Sequence, residues 1–289
     1  MNIAILGIGL MGFPMGRRLC AAGFNVHAWN RTLDKAQRLA ESGAVVHDLA
    51  DRAVRDADVV ITMLDNGSVV GNVLFEQGVA QAMKPGSLLI DMSSIKPIEA
   101  RDHAARLSER HIAYLDAPVS GGTIGAEEGT LAIMVGGKTS RFESAQPLFN
   151  ALGRATLVGP IGAGQLAKLA NQMIVGATIG IVAEALLLCE RGGANMHKVK
   201  EAISGGFADS RILQVHGKRM IERDFTPRGR MSVQLKDLRN ALSTASEIGF
   251  DAPITTLFEA LYAQGVEHGL ENLDHSGLFV ELASRNGMS

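Results

Sequence analysis

Residues 3 to 12, Ile-Ala-Ile-Leu-Gly-Ile-Gly-Leu-Met-Gly, limit what this chain can fold into more than any other stretch. A β-branched run over 3–6 reads as a strand, Met11 to Ala22 as a helix closed by Gly23, and Val26 to Trp29 as a second strand. Gly7, Gly9 and Gly12 fall between the first strand and the helix, with Leu10 and Met11 completing the turn. The three glycines answer different physical needs. Gly7 makes the tight turn, Gly9 lets the backbone approach a pyrophosphate, and Gly12 lets helix and strand pack closely. The amide end of the helix then faces the phosphates. A lone G-x-G-x-x-G is a weak signal, but here strand, turn, helix and second strand stand in register, which predicts a dinucleotide site.

The end of the second strand speaks to which dinucleotide. An acid there accepts hydrogen bonds from a ribose 2′-hydroxyl and selects NAD. This chain has Asn30, followed by Arg31 and Thr32. Neutral Asn30, the Arg31 cation and the Thr32 hydroxyl offer donors and positive charge to a 2′-phosphate, which an acid would repel. NADP is the expected cofactor and NAD the lesser alternative. Without a ligand, the same residues read as a helix cap and a solvated turn.

Further β-branched runs recur at 58–64, 87–92, 112–118 and 130–137, with a short strand at Val45 and helices such as Pro97 to Arg110 between them. This is the pattern of a parallel sheet covered by helices. The character changes near Gly159: a helix of about 40 Å can run from Gly164 to Gly192, and everything after it reads helical. The expected architecture is α/β: a Rossmann-type doubly wound domain over 1–162, then an all-α domain over 163–289 opening with a long helix at 163–192. The segment Met173 to Cys189 is apolar enough to raise the question of a membrane span. Glu184 within it and Glu190-Arg191 after it favour a helix buried in protein.

With 46% hydrophobic and 20% charged residues and a formal charge of −2, the chain has the balance of a globular protein and no reason to bind nucleic acid or a membrane. Cys20 and Cys189 are far apart, and no Cys/His cluster has metal-ligand spacing, so neither a disulfide framework nor a metal is expected. A strand that starts at residue 2, with no basic leader, fits a reducing cytoplasm.

Two stretches carry candidate chemistry. In "DAPVSGGTIGAEEGTLAIMVGG" (116 to 137), Ser120, Gly121 and Gly122 follow a strand and can present a hydroxyl and backbone amides to a carboxylate. In "GAGQLAKLANQ" (162 to 172), Lys168 and Asn171 are three apart and share a helix face. A lysine on an apolar helix is either functional or snorkels to solvent, and the residues alone leave both open. Asp274 or Ser276, beside His275, suits a cap for the last helix, and Glu127-Glu128 reads as a solvated pair.

Taken together and in order, "GIGLMGFPMG", "DMSSIKP", "DAPVSGG", "GTLAIMVGG", "GAGQLAKLANQ" and "LKDL" resemble the β-hydroxyacid dehydrogenase family over nearly the whole chain. "DMSSI" and "KLANQ" are most similar to its tartronate semialdehyde-reducing branch, and "WNRT" to its NADP-using branch acting on glyoxylate and succinic semialdehyde. The resemblance implies hydride transfer between a nicotinamide dinucleotide and a small 3-hydroxy acid or its semialdehyde, in a homodimer or homotetramer. It implies Lys168 as the catalytic residue, Ser120, Gly121, Gly122 and Asn171 as substrate-binding, and Met63, Leu64, Ser94 and Lys236 as cofactor-binding. Oxidation of 3-hydroxyisobutyrate with NAD is the alternative reaction, and a non-catalytic dinucleotide-binding module the alternative of another class. Asn30-Arg31-Thr32 speaks against the first, and Lys168, Asn171 and Ser120 against the second. Lys236 can also be read as a surface lysine paired with Asp237.

Overall fold

The computed structural model of the chain describes residues 1–288. It forms two compact units, Met1–Lys168 and the residues from Leu169 on.

The first unit is built on a nine-stranded sheet: β1 (Asn2–Leu6), β2 (Asn25–Trp29), β3 (Val45–His47), β4 (Val59–Thr62), β5 (Leu88–Asp91), β6 (Ala113–Asp116), β7 (Val119–Ser120), β8 (Leu131–Gly136) and β9 (Gly153–Gly159). Strands β3-β2-β1-β4-β5-β6 are parallel in that order. Beyond them β8 runs antiparallel to β6, β7 antiparallel to β8, and β9 parallel to β8. The sheet is therefore parallel in its nucleotide half and mixed at its far edge. Strands β7 and β9 are additional to those expected from the sequence.

Side chains alternate between two cores, as a sheet covered on both faces requires. Ile3, Ile5, Val26, Ala28, Val59 and Ile61 pack on one face with Met15 and Leu19 of α1 (Gly12–Ala21) and Leu39 of α2 (Leu33–Ala40). Ala4, Leu6, Trp29, Val60 and Leu89 pack on the other with α3 (Ala50–Val54), α4 (Gly67–Gly71), α5 (Val79–Ala82) and α6 (Pro97–Ser108). A π turn, Asn72–Glu76, continues α4. Helices α7 (Gly122–Glu128), α8 (Thr139–Ser144) and α9 (Gln146–Leu152) fill the far edge. Strand order reverses between β1 and β4, and such a switch point leaves a crevice at the carboxyl ends of the strands.

The long helix α10 spans Ala163–Arg191. The two compact units divide at Lys168, within α10, and Gln165 in its first turn is hydrogen-bonded to the sheet side. Its most apolar 18-residue window has a mean hydropathy of 1.9 and is 44% buried. Ile179, Val182, Ala183, Leu186 and Leu187 of α10 form the core of the second unit. They pack there with residues of α11 (Met196–Ile203), α12 (Lys218–Glu222), α13 (Met231–Glu247), α14 (Pro253–Glu267) and α15 (Leu278–Arg285). Asn195 caps α11 by accepting from the Lys198 N–H, and Asp274 accepts from the Ser276 N–H and hydroxyl just before α15. Burial alone would raise the Asp274 carboxyl. Hydrogen bonds from His216 and Ser276 and the neighbouring Arg219 guanidinium outweigh it and hold the group well below the usual carboxylate range.

Candidate active site

The crevice holds a cavity of about 500 Å³ lined by the glycine turn (Gly7, Gly9), the end of β2 (Trp29 to Thr32), Lys35, and the segment from Met63 to Gln77. The turn is tied into the sheet from both sides: the Gly7 N–H donates to Trp29 C=O and the Met63 N–H to Leu6 C=O, both at 2.9 Å. The three glycines are required for different reasons. Gly7 has φ +106°, and a Cβ on it would strike the Met63 carbonyl; a Cβ on Gly12 would strike the Gly7 carbonyl. A Cβ on Gly9 would meet no protein atom within 4 Å. The protein thus demands Gly7 and Gly12, whereas Gly9 leaves open a cradle that a ligand can fill. Helix α1 starts at this turn with no side chain capping it, which leaves its amide end for an anion. These features fit a dinucleotide pyrophosphate. Leu10 is 67% exposed, and Met11 packs against the core. Leu10, Met11 and Gly12 shape the turn and do not line the cavity.

Asn30 lines the cavity, and its side chain is also tied into the turn. Its Oδ1 accepts from the Ile8 N–H at 3.0 Å, and its Nδ2 donates to the Thr32 C=O at 2.9 Å. The side chain braces the glycine turn against the bend after β2. Thr32 precedes α2, but its hydroxyl makes no cap, contrary to expectation. Arg31 and Thr32 line the cavity beside Asn30, joined by Lys35 from the first turn of α2. Lys35 was not singled out from the sequence, although its place three residues after Thr32 at a helix start was the signal for it.

On the opposite wall, Met63 and Leu64 line the cavity. The Leu64 N–H donates to Ser93 Oγ at 2.9 Å. Ser93 is fully buried, whereas the neighbouring Ser94, expected to be cofactor-binding, is half-buried and outside the cavity lining. Beneath Ser93 lies Asp91, also fully buried, whose Oδ1 accepts from Thr62 Oγ1 (2.8 Å) and the Ser93 N–H (3.0 Å). The Tyr114 hydroxyl donates to its Oδ2 at 3.3 Å. Burial pushes the Asp91 carboxyl up to about 6, with the hydrogen bonds from Ser93, Thr62 and Tyr114 only partly opposing it.

Lys168 lies on α10 and is 9% exposed, so nearly all of its side chain is out of water. One turn before it, Gln165 is fully buried, its side chain and main chain both bonded to the sheet side. Ser120 ends β7, opposite Ala132 of β8. Gly121 and Gly122, at φ +135° and +62°, turn the chain into α7, so the loop needs glycine at both positions. In the second unit, Asn171 Nδ2 donates to Gln172 Oε1 (2.8 Å), and Gln172 Nε2 donates to Asp237 Oδ2 (2.8 Å). Lys236 Nζ is 3.2 Å from Asp237 Oδ1. Asn171 and Lys236 are thereby joined through two buried residues, Asp237, which the sequence offers as the partner of Lys236, and Gln172, which it does not single out.

Residues 2–162 match the NAD-binding domain of 6-phosphogluconate dehydrogenase, and residues 162–282 match the NAD-binding domain of NADP-dependent 3-hydroxyisobutyrate dehydrogenase. The chain is 43% identical over 281 residues to 2-hydroxy-3-oxopropionate reductase of Escherichia coli (strain K12), with 96% of both proteins covered. The chain belongs to the β-hydroxyacid dehydrogenase family. Within the family it is 35% identical to a probable 3-hydroxyisobutyrate dehydrogenase-like protein of Arabidopsis thaliana, over 100% of this chain and 87% of that one. The solved structure of Mycobacterium tuberculosis 3-hydroxyisobutyrate dehydrogenase with L-serine superposes with a TM-score of 0.88 at 33% identity, over 97% and 98% of the two chains. As a β-hydroxyacid dehydrogenase the protein is an NAD(P)-dependent oxidoreductase, and the Rossmann unit with its helical companion is the family's fold.

Proposed function

We propose that the enzyme reduces a short semialdehyde with NADPH, tartronate semialdehyde first and glyoxylate or succinic semialdehyde next, with Lys168 as the proton donor. The observation that carries this reading is a buried lysine on a helix whose first turn is fixed to the sheet beside the dinucleotide crevice. When bound, the dinucleotide supplies hydride. As the aldehyde carbon is reduced, its oxygen gains negative charge, and the Lys168 ammonium donates a proton there; in the reverse direction neutral lysine accepts it. Ser120, Gly121 and Gly122 are the anchors for the substrate carboxylate and Asn171 orients the substrate. Met63, Leu64, Ser94 and Lys236 serve the cofactor. The similarity to a 2-hydroxy-3-oxopropionate reductase supports the choice of substrate.

The preference for NADPH rests on Arg31 and Lys35 at the cavity, with Thr32 between them and no acid at the end of β2. A homodimer or homotetramer in the cytoplasm completes the proposal. Ile174, Ile181 and Leu188, seven apart on α10, are 68%, 56% and 74% exposed, and a stripe of this kind suits burial against another copy. Light scattering on the purified protein tests the assembly.

The test of function is NADPH oxidation followed at 340 nm with tartronate semialdehyde, glyoxylate, succinic semialdehyde and methylmalonate semialdehyde, repeated with NADH. Turnover with the first of these and a preference for NADPH are the expected results. Oxidation of 3-hydroxyisobutyrate with NAD in preference to all of them would replace the reading, and NADPH binding without turnover would make the chain a binding module.

A further inference from the structure

The proton donor's helix carries a set of buried polar contacts that the chemistry above does not use. Gln165, three residues before Lys168, is fully buried. Its Oε1 accepts from the Ile95 N–H at 3.1 Å, and its Nε2 donates to the Ser93 C=O at 2.8 Å. Its own main-chain N–H donates to Asp116 Oδ2 at 2.8 Å, while Asp116 Oδ1 accepts from the Gly162 N–H at 2.8 Å. The first turn of a helix leaves amides unpaired. Here a fully buried carboxylate at the end of β6 takes them, so the helix begins at a place set by the sheet.

Ser93 is the shared member. Its carbonyl receives Gln165, its hydroxyl accepts from the N–H of Leu64 on the cavity wall, and its N–H is held by Asp91. A chain of hydrogen bonds therefore runs from the cavity wall at Leu64, through Ser93, to Gln165 and the turn that bears Lys168. Slipping α10 by one residue would turn Lys168 by about 100°. It would also break both side-chain bonds of Gln165. An apolar residue at 165 would bury equally well, so a two-ended amide there is explained by alignment and not by burial.

We infer that Gln165 is a positioning residue: it sets the register of α10 against the Leu64 wall and thereby aims the Lys168 ammonium. The inference rests on the reading of Lys168 as proton donor, and the experiment separates the two. Gln165→Met keeps the volume and loses both bonds; Gln165→Asn keeps the amide but is one methylene too short to hold both partners. Each is made alone and together with Lys168→Ala. Turnover of tartronate semialdehyde gives kcat and KM, and quenching of Trp29, the single tryptophan and a cavity residue, gives the Kd for NADPH.

Gln165→Met is expected to lower kcat by roughly 10- to 100-fold, the usual effect of misplacing a reacting group by about an ångström, with KM and the NADPH Kd within about threefold. Gln165→Asn should fall between it and the parent. In the Lys168→Ala background neither should lower kcat further, because the residue being aimed is gone. Equal losses in both backgrounds, unchanged kcat in folded variants, or an unfolded Gln165→Met beside a fully active Gln165→Asn would overturn the positioning role while leaving Lys168 standing. Full activity of Lys168→Ala itself would instead remove the proton donor, and the positioning role with it.

Discussion

Replacing Asp91 by Asn should stabilise the protein, and by an amount that grows with pH. The carboxyl is fully buried and pushed up to about 6 from its ordinary 3.8. Near neutrality the folded protein holds this group ionised out of water, whereas the unfolded chain ionises it freely. A folded value above the unfolded one means that the native state binds more protons between the two, so stability falls as pH rises through that window. At 1.36 kcal/mol per unit, the full effect is about 3 kcal/mol, of which about 2 develops between pH 4.5 and 7.5. Asn can keep the contacts: its Oδ1 accepts from Thr62 and Ser93 as before, and its Nδ2 can donate to the Tyr114 hydroxyl. Urea unfolding of both proteins across that pH range, without dinucleotide, gives the difference directly. It should rise by about 2 kcal/mol in favour of the variant. A difference that is flat with pH, or that shrinks as pH rises, would refute the account of Asp91 as a buried carboxyl titrating near 6.

The cavity and the lysine give four further expectations. Arg31→Ala should lower kcat/KM for NADPH by roughly 10- to 100-fold, the worth of one charge-assisted hydrogen bond, and leave NADH within about twofold. Equal losses with both cofactors in steady-state assays would cancel the proposed phosphate contact. Asn30→Asp retains the acceptor for Ile8 but loses the donor to Thr32 and adds a negative charge, so the KM for NADPH should rise about tenfold or more while that for NADH holds or falls. Gly9→Ala should melt at the parent temperature yet bind dinucleotide at least about tenfold more weakly, since only a ligand occupies that space. Thermal shift with and without NADPH distinguishes this from simple misfolding. Lys168→Ala should cut kcat by roughly 10² to 10⁴ with little change in NADPH affinity, and retained turnover would end its assignment as general acid.

Much of the first unit was legible because β4 and β5 are runs of buried β-branched or leucine residues, β1 is nearly so, and Gly23, Gly43 and Pro97 punctuate the helices beside them. The strand β9 was not. Its residues alternate between half-buried and exposed, and none is fully buried, so it shows no apolar run to read. Two residues of β7 are too few to carry a pattern. In the second unit the caps Asn195 and Asp274 stand where a helix start needs an acceptor, and Asp274 is one of the two caps the sequence offers for the last helix. The turn at 213–217 is π rather than α, a widening of the hydrogen-bonded turn that has no signature in the sequence.

The site divides along the same line between local and distant chemistry. Gly7, Gly9, Arg31 and Thr32 could be read because their partners lie within one strand-turn-helix unit. Lys35 could have been read the same way. Asp91, Ser93, Asp116 and Gln165 could not, because each is bonded to atoms tens of residues away, as Gln165 is to Ile95 across 70 positions. The adjacent serines show how sharply this matters. The sequence points to Ser94 in the cofactor loop, and the structure adds the Ser93 hydroxyl, one position earlier and fully buried, which accepts from the Leu64 N–H on the cavity wall. Alternation of side chains along an extended segment puts neighbouring residues on different faces, and the Ser93 contact depends on the Leu64 N–H, 29 positions away, which no local motif reveals. The same bond joins the half of the site that motifs reveal to the half that folding assembles, and the Gln165 variants, read beside Lys168→Ala, test whether that link aims the lysine.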